Sequence, residues 1–220
     1  MDQSIMAIWK FRVLAIILFL FVGTISIANL LAEFLRPNPL ALASRSSRTP
    51  LPGEISATNL ASKIVPFRSD LKADYAQALA GAALHSGARE GAEEQKDAQN
   101  AIRAALGIGP HDAPLWLVLA ILQARRSQVD PSIAASLKMS YFTGLNQSAL
   151  IPIRLEAVTS NNSLNDAELA ELARADVRAL LTALPDGRKE LSGNYQRASE
   201  AGKRFLEETV AGIDPKFVLK

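Results

Sequence analysis

Side chains that could act as metal ligands or nucleophiles are few in this chain. It contains two histidines, His85 and His111, and no cysteine. Without cysteine, disulfides, thiolate metal sites and thiol nucleophiles are excluded. His85 is expected late in a helix, where a histidine stabilises the C-terminus, and His111 in a turn beside a proline. Neither histidine has a second ligand at a metal-binding spacing, so we predict no metal site and no cofactor.

Two pairs of neighbouring carboxylates, Glu93–Glu94 and Glu207–Glu208, are candidates for an acid and a base. Acid–base catalysis needs two groups that face one reacting bond, whereas adjacent residues of a helix point in different directions. We interpret both pairs as solvated helix faces. The Gly107–Gly109 stretch is too short for a phosphate-binding loop and lacks the lysine that follows such a loop. The sequence therefore predicts a protein that is not an enzyme, with no small-molecule substrate identified.

An enzyme that acts on envelope glycans is the alternative. Such a hydrolase needs two carboxylates that the fold brings together across a defined gap, usually beside an aromatic residue that stacks on the sugar. The two tryptophans, Trp9 and Trp116, both have structural interpretations. A pocket with two acids of strongly shifted pKa favours this alternative, and an exposed concave apolar face favours a binding protein.

The composition is typical of a helical protein. Hydrophobic residues make up 49% of the chain and aromatic residues 6%, and the abundant Ala and Leu lose little side-chain entropy in helices. Runs of β-branched residues typical of strands are missing. The net charge is only +2, and no stretch combines dense Lys and Arg with aromatic residues, which argues against nucleic acid as a partner. We predict an all-α fold.

A charge-free apolar run near the N-terminus predicts a membrane-spanning helix. The run is Val13–Ala32, and it follows Lys10 and Arg12. Twenty helical residues reach about 30 Å, the thickness of the hydrocarbon core of a bilayer. We predict a transmembrane helix at residues 13–35 that contacts membrane lipid, preceded by a cytoplasmic N-terminal tail at residues 1–12.

A cleaved signal peptide is the alternative to an anchor, because Ala41–Ala43 offers a small-residue cleavage pattern. The apolar run is longer than that of a signal peptide and ends well before this pattern, so we expect the helix to be retained. The basic start favours a cytoplasmic N-terminus, although Arg36, Arg45 and Arg48 nearly balance it. We predict a single-pass protein of an inner (cytoplasmic) membrane, of bacterial type, with a periplasmic C-terminal domain.

Three regions are expected after the anchor. Residues 36–55 are rich in Pro and Ser and predict an extended linker that lifts the domain off the bilayer. Successive amphipathic stripes with stop signals predict a helical domain at residues 56–212. A C-terminal tail at residues 213–220 completes the chain.

Helix boundaries in the domain follow from capping residues and breakers. One helix is predicted over Ala113–Arg126. Asp130, followed by a proline, and Asn165 are the expected N-caps of two later helices. The apolar stripe Leu191–Leu206 predicts one final helix that stops near Gly212.

Two stretches of the domain share a pattern of helix end, proline turn and new helix. They align when Pro66 is matched with Pro110, 44 positions later (110 − 66), a period found in helical solenoids. Over residues 98–123 the chain resembles the tetratricopeptide repeat family. The residues that carry the resemblance are Ala98, Ile102, Ala105, Pro110, Trp116, Leu119 and Ala120. The resemblance implies an array of helical hairpins, and an irregular antiparallel bundle is the alternative.

The first helix of each tetratricopeptide pair lines a concave groove that binds partners. The resemblance places Leu117, Ile121 and Arg125 on this face, with Asp70 and Gln77 from the preceding pair. The alternative is that Leu117 and Ile121 are buried under the following helices, with Arg125 as a solvated cation.

The function that the resemblance implies is a membrane-anchored, non-enzymatic scaffold or adaptor. We predict that its groove binds another cell-envelope protein, for example in assembly, secretion or polysaccharide export. An accessory subunit that acts through its transmembrane helix is a further alternative.

Overall fold

A computed structural model of the chain describes residues 3–36, 50–86 and 91–219. All regular structure in these ranges is helical and no strand occurs in them, which confirms the predicted all-α class. The cleavage pattern at Ala41–Ala43 and most of the predicted linker lie outside the described residues. The ten α-helices of the described part are α1 Gln3–Phe34, α2 Pro52–Ile64, α3 Ser69–His85, α4 Ala92–Leu106, α5 Ala113–Arg126, α6 Ser132–Thr143, α7 Ile151–Thr159, α8 Ala167–Thr182, α9 Gly187–Arg197 and α10 Glu200–Ile213.

Helix α1 contains the apolar run. It begins at Gln3, so much of the predicted N-terminal tail is also helical. The part from Trp9 to Phe34 has 26 residues and a mean hydropathy of 2.5, and none of its most apolar window is buried against the rest of the chain. By length and composition this helix can cross a membrane.

The helical domain rests on the C-terminal end of α1. Its first helix, α2, begins at Pro52 rather than near residue 56. Helix α2 packs against α1, and Ala32 is fully buried there with Ala61 and Leu71. The domain therefore contacts the end of the apolar helix directly.

Helix α5 divides the apolar interior of the domain into two cores. One of its faces, with Leu115, Leu119 and Leu122, packs on α3 and α4. The other face, with Leu117 and Ala120, joins the core formed by α6 to α10. A helix that is apolar on opposite faces is buried between layers, so α5 holds the two halves of the domain together.

Helices α3 to α6 form two pairs, α3 with α4 and α5 with α6, and α5 also contacts both helices of the first pair. The turn between the pairs is held by two side chains. The Trp116 Nε1 donates to the Pro110 carbonyl oxygen over 2.8 Å, and the Asp112 carboxylate accepts from the Leu115 backbone N–H over 3.0 Å. Trp116 is only half-buried, and it packs at the edge of the first core.

Two expected N-caps differ from the structure. Helix α6 begins at Ser132, so Pro131 rather than Asp130 precedes it, although the Asp130 carboxylate still accepts from the Ser132 N–H over 2.9 Å. The prediction of Asn165 as a cap is wrong, because Asp166 caps α8 by accepting from the Leu169 N–H over 3.1 Å. An ionised carboxylate also favours the positive end of a helix.

The predicted final helix is in fact two helices, α9 and α10. The break is at Ser199, whose hydroxyl accepts from the Gly202 N–H over 3.1 Å and donates to the Thr159 carbonyl oxygen over 2.8 Å. Gly202 lies against the same Thr159 carbonyl, where a Cβ would approach the oxygen to 2.1 Å. The close packing of α10 on the end of α7 therefore requires glycine at position 202.

The variant Gly202→Ala tests this close approach. Alanine ordinarily stabilises a helix by about 0.5–1 kcal/mol relative to glycine. Here we expect the free energy of unfolding to fall by about 1–3 kcal/mol, as at other overpacked sites. Gly212→Ala is the matched control in the same helix, because nothing lies within 4 Å of a Cβ there. Urea unfolding followed by circular dichroism measures both, and equal effects would contradict the contact.

Candidate functional site

Helices α3, α5 and α7 contribute to one face of the domain and leave a groove between them. Its volume is about 360 Å³ and its lining is mostly apolar. The side chains that line it include Gln77 and Leu84 of α3, Leu117 and Ile121 of α5, and Ile153 of α7. Concave sites with an apolar lining and few polar groups are the usual places where proteins bind ligands or partner segments.

A second depression, of about 300 Å³, adjoins the first and shares Ile121 and Ile153 with it. It adds polar groups to the apolar surface, among them Arg125 at the end of α5 and Glu156 of α7. We call the two depressions together the α3–α5–α7 groove. The groove is thus an apolar strip with charged groups at one end.

Pro50, which precedes α2, also borders the groove. It is buried, and its Cγ occupies the position next to Gly81 of α3, where a Cβ would approach it to 2.8 Å. Gly81 therefore allows the chain to pass close to α3 on its way into α2. The Pro50 side chain thus adds to the apolar lining of the groove.

The structure brings four of the five predicted partner-binding residues to this groove. Gln77 and Ile121 are half-buried and line it, and Arg125 is exposed at its far end. Leu117 also lines the groove, but it is only 2% exposed and belongs to the C-terminal core. Burial, the alternative interpretation, therefore applies to Leu117. Asp70 lies elsewhere, in a cluster of charges beside α1.

The two charged residues at the polar end of the groove differ in their pairing. The Glu156 carboxylate pairs with Arg197 at 2.9 Å. Arg125 donates to the Ala83 carbonyl oxygen at 3.4 Å, and no carboxylate of residues 9–36, 50–86 or 91–219 pairs with it. The groove therefore presents a cation that is available to an acidic group.

The side chains first considered for chemistry do not converge. His85 Nδ1 lies 2.7 Å from the Gly81 carbonyl oxygen at the end of α3, and His111 is exposed in the turn before α5. Both glutamate pairs are exposed, and the Tyr195 hydroxyl donates to Glu207. Across the described residues, no group of three His, Cys, Asp or Glu side chains is placed to hold a metal ion.

A cluster of five charges joins the end of α1 to α3, and we call it the anchor cluster. Arg36 Nε lies 2.6 Å from the Asp74 carboxylate, and Arg36 Nη1 lies 3.1 Å from that of Asp70. Arg68 donates two hydrogen bonds to Asp70, of 2.6 and 3.1 Å, and one of 3.0 Å to Glu33. This cluster was not predicted from the sequence, because Arg36 was assigned to the linker.

The two aspartates of the anchor cluster have opposed pKa shifts. Hydrogen bonds from Arg68 lower the pKa of Asp70, whereas burial raises the pKa of Asp74. Carboxylates with opposed shifts are a feature of acid–base sites. Here an arginine holds each of them, and Asp74 is almost fully buried, so the geometry is that of a structural ion cluster.

A second buried network, also missed, lies in the C-terminal core. Arg154 is completely buried; it donates to the Gly144 carbonyl oxygen over 2.9 Å and to Asp176 over 3.3 Å. Its guanidinium lies 4.4 Å from the centre of the Tyr141 ring, and the Tyr141 hydroxyl donates to Asp176 over 2.8 Å. Burial raises the pKa of both Asp176 and Tyr141. The network joins α6, α7 and α8.

No protein-family model matches the chain, and neither a curated protein nor a solved structure is significantly similar to it. The groove and the two charge networks are therefore interpreted from their geometry and chemistry alone.

The variant Arg154→Met tests the buried network. It leaves Asp176 buried without a cation, and breaking a buried ion pair in this way costs about 3–5 kcal/mol. We expect a loss of this size in the free energy of unfolding, and partial recovery in the double variant Arg154→Met/Asp176→Leu. Arg126→Met is the control, because this arginine is exposed at the end of α5 and a surface change has an effect within about 0.5 kcal/mol. Comparable losses for Arg154→Met and the control contradict the assignment.

The raised pKa of Asp176 predicts a specific dependence on pH. Burial makes the folded state bind the Asp176 proton more tightly than the unfolded state, whose pKa is near the ordinary 3.8. The stability from this group is therefore fully present below that value and is lost as the pH rises through the folded-state pKa. We expect the free energy of unfolding of the wild type, minus that of Asp176→Asn, to decrease as pH increases. Urea unfolding at a series of pH values measures it; a difference that is constant or that increases would argue against the raised pKa.

Proposed function

We propose that this chain is a membrane-anchored, non-enzymatic scaffold that binds an apolar segment of another envelope protein in the α3–α5–α7 groove. The groove itself is the observation that carries the proposal. Ile121 is half-buried and Ile153 is 42% exposed where the two depressions meet. Contiguous apolar surface of this kind is typical of interaction sites.

The order of the helix contacts supports a tetratricopeptide-like interpretation of α3 to α6. In such arrays each helix pair packs on the next, and the first helices of successive pairs line one face. Helices α3 and α5 are the first members of their pairs, and both line the groove. Trp116 and Pro110, which carry the sequence resemblance, meet in a hydrogen bond at the turn between the pairs.

The anchor cluster supports retention of α1 as a membrane anchor. Cleavage after the apolar run would remove Arg36 and leave Asp74 buried without its cation, which is costly. Burial of Ala32 against α2 and α3 has the same implication. We place the apolar helix in an inner (cytoplasmic) membrane with the domain on the periplasmic side, on the basis of the basic residues before the span.

The lining of the groove indicates the chemistry of the partner. Its apolar strip fits the apolar side chains of an amphipathic segment, most simply a helix laid into the groove. Arg125 lies at one end without a carboxylate partner within the described part of the chain, so an Asp, a Glu or a chain terminus of the partner would pair with it.

Photo-crosslinking tests the groove. A crosslinking side chain at Ile121, in the full-length chain in its native membrane, is expected to give one discrete protein adduct. The same side chain at Phe142, which is 59% exposed on α6 outside the groove, is the position control. Arg125→Glu should reduce the adduct about tenfold or more, because hydrogen bonds to charged groups contribute about 1.5–3 kcal/mol.

Arg126→Glu is the charge control for this experiment, since Arg126 follows Arg125 in the chain but does not line the groove. Equal adducts from Ile121 and Phe142, or equal effects of the two arginine variants, would overturn the groove as the binding site.

An accessory subunit that acts through α1 is the second candidate. The observation in its favour is that the most apolar window of α1 makes no buried contact with the described domain, which leaves this helix free to pack on a membrane partner. Replacing residues 13–30 with an unrelated apolar helix separates the two functions. The groove adduct persists for a scaffold and disappears for a subunit recruited by its anchor.

A further inference from the structure

The ion pairs of the anchor cluster are ordered along two helices. Glu33, the first charged residue after the apolar run, accepts a hydrogen bond from Arg68, which directly precedes α3. Arg36 lies one turn further from the run and pairs with Asp70 and Asp74 in the first two turns of α3. Helix α3 therefore leads away from the apolar span, and the loop between α2 and α3 is the part of the cluster nearest to it.

This loop carries an unusual side chain. Phe67 is 88% exposed, more than any other large apolar residue that the structure describes beyond α1. Its neighbour Arg68 is 3.0 Å from Glu33, so Phe67 is fixed close to the end of the span. Exposure of the Phe67 side chain to water has a free-energy cost, which a nonpolar environment would remove.

A cation accompanies this phenylalanine. Lys63, in the last turn of α2, is exposed, and it has no ion pair within residues 9–36, 50–86 and 91–219. Arg68 is already bound to Glu33 and Asp70. Lys63 is therefore the basic group near the loop that is available to an external anion.

We propose that the α2–α3 loop is a second membrane contact, in which Phe67 enters the interfacial layer of the bilayer and Lys63 faces lipid phosphates. The inference rests on the membrane anchoring proposed above. Apolar side chains next to cations bind membrane interfaces through buried apolar area plus attraction to anionic lipid. Together with α1 the loop would give the domain two points of contact and hence a fixed orientation on the membrane.

A lipid surface fits this position better than a protein partner, because the loop lies beside the end of the apolar span in space. The first charge after that span is Glu33, so this residue lies at the boundary between hydrocarbon and headgroups. Arg68 is held at the same level by its bond to Glu33. A bilayer around α1 would therefore already surround the loop.

The absence of cysteine from the chain makes a direct test possible. Single-cysteine variants of the full-length chain carry an environment-sensitive fluorophore at Phe67, Leu20 or Val129, and are reconstituted in phosphatidylcholine vesicles with or without phosphatidylglycerol. Leu20 lies in the apolar span, and Val129 is 74% exposed in the α5–α6 connection. Lipids with a doxyl quencher near the headgroup report shallow insertion, and those with a quencher deep in the chain report the span.

We expect the Phe67 label to shift to the blue and to lose fluorescence with the shallow quencher, and the Val129 label to do neither. Loss of fluorescence at Leu20 with the deep quencher verifies the anchor independently. Quenching at Leu20 without quenching at Phe67 overturns the loop contact alone. This result is also the one expected if Phe67 contacts a protein rather than lipid. No quenching at Leu20 overturns the anchor and the loop contact together.

The role of the Lys63 charge is tested in the variant that carries the label at position 67. Lys63→Glu should weaken quenching at Phe67 in vesicles with phosphatidylglycerol and have less effect in phosphatidylcholine alone. Lys189→Glu, a reversal of an exposed lysine in α9, is the control. An equal effect of both reversals would contradict a specific role for Lys63.

Discussion

Burial of α5 on two opposite faces is the constraint on which the rest of the domain depends. Leu119 and Ala120 are consecutive residues, yet the first belongs to the core with α3 and α4 and the second to the core with α6 to α10. Leu117 belongs to the second core and also lines the groove. The same helix thus determines the stability of both halves and the shape of the candidate binding surface. A surface preformed in this way loses little conformational entropy when a partner binds.

Local signals were enough to predict much of the fold. Helix α5 runs from Ala113 to Arg126, as predicted from the sequence, because helical periodicity and stop signals act over a few residues. The break between α9 and α10 could not be predicted in this way. The apolar stripe runs through it, but Ser199 and Gly202 contact Thr159, about forty positions earlier in the chain. A contact of that range leaves no trace in local periodicity.

In the candidate site too, features with local sequence signals were predicted and contacts between distant residues were not. The family resemblance placed Ile121 and Arg125 on one helix face because their spacing follows the helix period, and the repeat frame added Gln77 from the preceding pair. The buried charges were not foreseen, since the partner of Asp176 is Arg154, on another helix. A sequence signal did exist: Asp176 is adjacent to Val177 on a buried stripe of α8, and a charge in such a stripe needs a partner. This signal shows that Asp176 requires a partner, but it does not identify which residue is that partner.

Two contacts on α3 determine how the end of α1 and the start of α2 are joined to the domain. Arg36 is held at the beginning of α3 and Pro50 against Gly81, near its end. The stretch between them therefore closes a loop whose two ends are fixed on one helix. The entropic cost of closing a loop grows only with the logarithm of its length, about 0.6 kcal/mol for each doubling. A change in the number of residues between these two contacts would therefore alter stability only slightly and would leave the end of α1 at the same place on α3. The position of the end of α1 on the domain is thus set by contacts on α3 and not by the number of residues between Arg36 and Pro50.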